Sequence, residues 1–163
     1  MARNRAWPGG FENIALPPDT RRVTSLHLRG YQLGGDDPSS SKTRRNSSLT
    51  SLLSRAPLSF IDLKNAHLDD SAIAALAAGL PPTLVSLHLH RSGNHCSLSR
   101  SCRCGVSGAG AAVLVDALIA AGGLRELNIG HHLLGDAGGV ALGDALGPAR
   151  LHTLDLKDNG LGP

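Results

Sequence analysis

Leucines recur along this chain in a fixed phrase, with polar residues filling the positions between them. The phrase L-x-x-L-x-[LI]-x-x-[NH]-x-L opens at Leu124, in "LRELNIGHHLL", and again at Leu151, in "LHTLDLKDNGL". Related segments begin at Val23 ("VTSLHLRGYQL"), Leu58 ("LSFIDLKNAHL") and Leu84 ("LVSLHLHRS"). Apolar and polar residues alternate inside each, the period of a β-strand that buries one face. Five strands are predicted. Three of the stretches between them match one another: "LDDSAIAALAAGL" (68–80), "VSGAGAAVLVDAL" (106–118) and "LGDAGGVALGDAL" (134–146). Apolar or small residues return there at every fourth position, from Leu68 through Ala72 and Leu76 to Leu80, and likewise from Val106 and from Leu134. Each stretch therefore predicts a helix. Asp70, Ser107 and Asp136 are the expected N-caps, and Gly79, Gly122 and the Gly147-Pro148 pair the expected endings. The repeating unit is strand, turn, helix and return.

With these motifs, and "LLGDAGGVALGDAL" above all, the chain resembles the leucine-rich repeats of the ribonuclease-inhibitor-like class over residues 23–161. The resemblance implies an α/β solenoid, with a curved parallel sheet on the concave side and helices on the convex side. It also implies about five units, the last incomplete. Residues 1–22 are expected to form an amino-terminal segment or cap, with Trp7 and Phe11 as its apolar contribution. The asparagine that follows the strand in that family occurs only as Asn159; the matching positions hold Tyr31, Ala66, Ser92 and His132. In the family that side chain ties neighbouring turns together, so its loss implies a less regular and less stable array.

Strand starts are separated by 35 residues from Val23 to Leu58, 26 to Leu84, 40 to Leu124 and 27 to Leu151. Two intervals are too long. In the 40-residue interval the helix keeps the register of the next unit, so the excess falls between strand and helix, at "SGNHCSLSRSCRC" (92–104). Insertions at such a place leave a stacked core intact. This segment holds every cysteine of the chain. His95, Cys96, Cys102 and Cys104 are the side chains a zinc ion would use. However, His95 and Cys96 are adjacent, and Cys-x-Cys lacks the spacing that points two thiolates at one metal. No metal site is expected, and the segment reads as a polar loop. The other insertion, near 34–46 within "GGDDPSSSKTRRNSS" (34–48), has the Pro, Ser, Gly and charge content of a flexible loop. In it "RRNS" (44–47) fits the pattern read by basic-directed kinases. That makes Ser47 a candidate phosphosite, placed to favour the start of a short helix over "SLTSLL".

Composition adds limits. Aromatic residues are 2% of the chain. The core is therefore expected to consist of thin leucine-filled layers, and nucleic-acid bases would find almost nothing to stack on. The net charge of +3 is uneven: residues 1–60 carry the excess of cations, which suits an acidic protein partner. The longest apolar run, "AAVLVDALIAAGG", carries Asp116 and is too short to span a bilayer. An odd number of cysteines in one segment, and no apolar run after Met1, point to a reducing compartment: the cytoplasm, or the nucleus.

Alternation along the strands puts three columns of side chains on the face away from the leucines. The first is Ser25, Phe60, Ser86, Glu126, Thr153; the second is His27, Asp62, His88, Asn128, Asp155; the third is Arg29, Lys64, His90, Gly130, Lys157. Taken singly, His27, Asp62 and His88 would satisfy one another across strands about 5 Å apart, and the lysines would be solvated. Taken together, a basic column beside one aromatic anchor is a footprint for a protein partner. Arg29, Phe60, Lys64, His88, His90, Glu126, Asp155 and Lys157 are the expected contact residues. Neither catalysis nor a cofactor is expected. The only glutamates are Glu12 and Glu126, phosphate-loop and zinc-helix motifs are absent, and "GVSGAG" (105–110) has Ala109 where a nucleophile elbow needs glycine. The expected function is a protein–protein interaction module. The resemblance also implies two other roles: a GTPase-activating protein of the Ran type, although the acidic carboxy-terminal region expected there is absent, and the sensing part of a NOD-like receptor. Because "DNGLGP" follows a strand directly, with no helix to complete the fifth unit, the chain is expected either to be a piece of a longer array or to self-associate through that uncapped unit.

Overall fold

Triplets centred on a leucine or isoleucine form the strands: β1 (Ser25–His27), β2 (Phe60–Asp62), β3 (Ser86–His88), β4 (Glu126–Asn128) and β5 (Thr153–Asp155). They alternate with α1 (Ser40–Arg55), α2 (Asp70–Gly79), α3 (Gly108–Ala121) and α4 (Gly135–Leu146). This is a computed structural model, and it describes residues 22–30, 33, 40–91, 105–146 and 151–162. The strands make one parallel sheet in the order β1-β2-β3-β4-β5, an α/β arrangement in which neighbours in sequence are neighbours in space. Leu26, Ile61, Leu87, Leu127 and Leu154 lie opposite one another with no shift of register. Each helix packs on the next in sequence, α1 on α2, α2 on α3 and α3 on α4. Ile61, Leu87 and Leu127 are fully buried in one core with Ile73 and Leu76 of α2 and Leu114 of α3. Among the described residues, the helices thus cover the leucine side of the sheet and none lies over the polar side.

Backbone bonds carry the register beyond the short strands. The N–H groups of Gly30, Asn65, Arg91 and His131 donate to the carbonyls of Lys64, His90, Gly130 and Lys157, at 2.9, 3.0, 3.1 and 2.6 Å. All three columns read from the sequence are therefore aligned. Five residues after the start of β1, β2, β4 and β5 the chain turns through left-handed backbone, at Gly30 (φ 73), Asn65 (φ 60), His131 (φ 62) and Asp158 (φ 53). Glycine adopts this conformation freely, and Asn and Asp tolerate it better than bulkier residues.

Helix starts differ from the sequence reading at two of three places. Ser107 caps α3 as expected, accepting from the N–H groups of Ala109 and Gly110 at 3.2 and 3.4 Å. For α2, however, the cap is Asp69, whose Oδ1 accepts from Ala72 N–H at 2.9 Å. Asp70 instead reaches the next unit and accepts from the N–H and hydroxyl of Ser107, at 2.9 and 2.6 Å. Asp136 repeats this two units further on: it lies inside α4 and accepts from Gly162 N–H at 2.6 Å. Two carboxylates thus tie the start of one helix to the following turn. The helices approach closely to allow this. A methyl group placed on Gly110 would run into Asp70, and one on Gly138 would come within 3.1 Å of Gly108 Cα.

The first interval is a second correction. Residues 40–48, expected as loop, belong to α1, which runs for 16 residues from Ser40. Part of the extra length is helix rather than loop. Ser47 is consequently well inside α1 and exposed, not at its start, so a phosphate there would miss the helix N-terminus. In the other long interval the segment 92–104, with His95 and all three cysteines, lies outside the described residues. Directly after it the ladder is in register with both neighbouring units: Gly105 N–H donates to Leu68 O at 2.9 Å, and Val106 O accepts from Leu133 N–H at 3.0 Å.

The asparagine position behaves differently from expectation at His132. Asn159 is 2% exposed. Its Nδ2 donates to Ile129 O and Leu156 O, both at 2.9 Å, while its Oδ1 accepts from His132 N–H at 3.1 Å. One unit earlier His132, 3% exposed, sets Nε2 at 3.0 Å from Leu89 O, the counterpart of Ile129. Its Nδ1 accepts from Val106 N–H at 3.3 Å. A backbone N–H cannot accept, so the ring proton must sit on Nε2. The imidazole takes over the tie between turns that loss of asparagine was expected to remove.

Candidate interaction surface

β2 sets the centre of the open face. Its triplet sends Ile61 into the core and leaves Phe60 and Asp62 on the polar side. The Phe60 ring lies between His27 of β1 and His88 of β3, with ring centroids 5.1 Å away on both sides. It is tilted 40° to the first and nearly edge-on, at 71°, to the second. Rings at such separations attract one another. The result is a three-ring strip across three strands. In its own column Phe60 is flanked by Ser25 and Ser86, both small.

Beside the rings lies a charge pair that spends one of the expected contact residues. Arg29 donates through Nε to Asp62 Oδ2 at 2.6 Å, and its Nη2 is 2.5 Å from the same oxygen. Asp62 is 1% exposed and also accepts from Lys64 N–H at 3.0 Å. Burial alone would raise its pKa. The Arg29 hydrogen bond, the Lys64 N–H and the charges of Arg29 and His88 outweigh that and hold the carboxyl below the usual range. Arg29 therefore does not stand as a free member of a basic column. Lys64 and Lys157 make no ion pair among the described residues. His90 sits between them in that column, and its pKa is lowered by burial and by the charges of Lys64 and His131. Its ring is 6.2 Å from that of His131, whose Nδ1 is 3.1 Å from Asp158 Oδ2.

The second column also does structural work. Asp62, Asn128 and Asp155 each accept the N–H two residues further on, at 3.0, 3.2 and 3.0 Å, a turn closed by its own side chain. Asn128 Nδ2 also donates to Asp155 Oδ2 at 2.9 Å. Asp155, read as a contact residue, is thus occupied within the sheet on both oxygens.

Ser86, His88 and Glu126 form a closed triangle. The Ser86 hydroxyl donates to Glu126 Oε2 at 2.9 Å and lies 3.2 Å from His88 Nε2, which is itself 3.2 Å from Glu126 Oε1. The Ser86 hydrogen bond lowers the Glu126 pKa against the opposing effect of burial, and His88 helps. A serine–histidine–acid relay needs the hydroxyl and the carboxylate on opposite ring nitrogens. Here both approach Nε2, and the hydroxyl proton points at the carboxylate. The triangle fixes side chains rather than activating an oxygen.

Elsewhere, no three His, Cys, Asp or Glu side chains among the described residues converge as metal ligands. No helix among them is long and apolar enough to cross a membrane. A shallow cleft of about 460 Å³, lined by Arg55, Pro57, Leu80, Pro81 and Pro82 among others, opens between the last turns of α1 and α2. The sequence reading missed His27 as a ring partner of Phe60 and the diagonal pair of Arg29 with Asp62. The strand columns hold the signal for both, once neighbours one column apart are compared as well as neighbours in one row. No protein-family model matches the chain, and no curated protein matches it.

Proposed function

We propose that the chain is a leucine-rich-repeat solenoid of the ribonuclease-inhibitor-like class, and that it is a protein-interaction module whose open sheet face docks a polypeptide partner. One observation carries this reading: five in-register parallel strands have one face covered by helices and the other left as aligned rows of rings and charges. Stacked repeats use such extended surfaces for partners. Phe60 with His27 and His88 is the anchor, because a ring strip offers apolar area that loses little freedom on binding. Lys64 and Lys157 supply the charge that favours acidic residues on the partner. Arg29 and Asp155 hold the surface together.

A capture experiment from cell lysate tests it, with the native chain and a Lys64→Glu, Lys157→Glu variant as parallel baits. Arg29 is left intact, since its reversal would set a carboxylate against buried Asp62 and disturb the fold itself. The reading expects a partner kept by the native bait and lost by the variant at equal thermal stability. Identical captures would place binding away from this face.

A further inference from the structure

Of the three carboxylates in the columns, Glu126 is the one held beside the Phe60 and His88 rings. Asp62 is buried under Arg29 and the Lys64 N–H, and Asp155, which accepts from Asn128 and the Lys157 N–H, lies on β5, three strands from Phe60. Glu126 meets Ser86 and His88 but no lysine or arginine among the described residues, and its side chain is 43% exposed. A carboxylate offers roughly four acceptor positions, so two remain for a ligand. Its place is fixed: Phe60, Ser86 and Glu126 are adjacent in one column. His88 touches the Phe60 ring on one side and the Glu126 carboxylate on the other. An aromatic surface and a negative charge are thereby held together, joined by one imidazole.

We propose that the Phe60–His88–Glu126 stretch is the docking point for an arginine side chain of the partner, with Lys64 and Lys157 meeting acidic residues of the same segment. A guanidinium is planar, weakly hydrated and always charged. It stacks on aromatic faces and donates in pairs to a carboxylate, which a lysine ammonium does less well. The face already makes this pairing once, where Arg29 meets Asp62. Glu126, one column over, meets the His88 imidazole but no guanidinium among the described residues. The column order then requires a partner with a cation on the first column and anions on the third. The inference rests on the open face being the binding surface.

Nuclear magnetic resonance titration of the whole chain with N-acetyl-arginine amide tests it, read on the ring signals of Phe60 and His88. N-acetyl-citrulline amide, of the same shape without the charge, is the control. The arginine probe is expected to move both rings saturably, and citrulline to bind roughly tenfold more weakly. Phe60→Leu and Glu126→Gln, each confirmed folded by its melting curve, are expected to weaken the arginine probe several-fold. Equal effects of the two probes, shifts centred elsewhere, or indifference to Glu126→Gln would overturn the proposal. The same two variants used as capture baits separate the two levels. A partner lost with Lys64→Glu, Lys157→Glu but kept with Phe60→Leu and Glu126→Gln removes the arginine site and leaves the face. A partner kept by every bait removes both.

Discussion

His132 stands where Asn159 stands one unit later, and each side chain donates to the equivalent carbonyl of its preceding unit. The imidazole is deeply buried and its pKa is pushed down from 6.5 to about 4. Burial is the main cause, the Leu89 carbonyl opposes it, and the charges of Arg91, His131 and His90 add to the fall. The folded chain therefore resists a proton that the unfolded chain accepts. The stability His132 contributes is complete above the unfolded pKa and is lost as pH falls towards the folded one. From about pH 7.5 to pH 5 the loss is on the order of 2 kcal/mol, measurable by urea unfolding at each pH. His132→Asn is expected to keep the tie to Leu89 and flatten this dependence. His132→Phe strands the Leu89 carbonyl and the Val106 N–H, at a cost of about 2–3 kcal/mol. An unchanged pH slope in His132→Asn would show that another group is responsible.

Between elements, the tie from Asp70 to Ser107 depends on a glycine. Gly110 leaves the space that Asp70 occupies, so Gly110→Ala is expected to destabilise by about 1–3 kcal/mol through overpacking. Asp70→Ala is expected to cost about 1 kcal/mol by removing the acceptor. The two should not add: once Asp70 is shortened, the extra methyl group loses its main clash and meets only Val106 Cγ1, at 3.0 Å. A double-mutant cycle by thermal melting checks this, and additive costs would contradict the contact. This tie was invisible in the sequence because Asp69 and Asp70 are adjacent, and both fit a cap within the one-residue uncertainty of a helix start. The strand register was legible because a period of two allows no slip without exposing the leucines. The first turns of α1 were not, since Ser40 to Ser48 contains no apolar residue to show a helical period. Loss of an asparagine was visible at position 132, but nothing in the sequence shows which carbonyl a ring reaches.

Across the whole molecule, one repeated interface accounts for both the core and the exposed surfaces. Leu127 and Leu134 are buried by the following unit, whereas their counterparts Leu154 and Leu161 are 43% and 41% exposed beside β5. The open sheet face is the larger claim, and its histidines provide the most direct test. Diethyl pyrocarbonate modifies neutral imidazoles that solvent reaches. The His27 and His88 side chains are 52% and 26% exposed, while His132 is buried and is the internal control. Footprinting of the chain with and without its captured partner should show His27, His88 and His90 labelled when free and protected when bound, with His132 unlabelled in both. Labelling of these three that is unchanged by a bound partner would contradict the account.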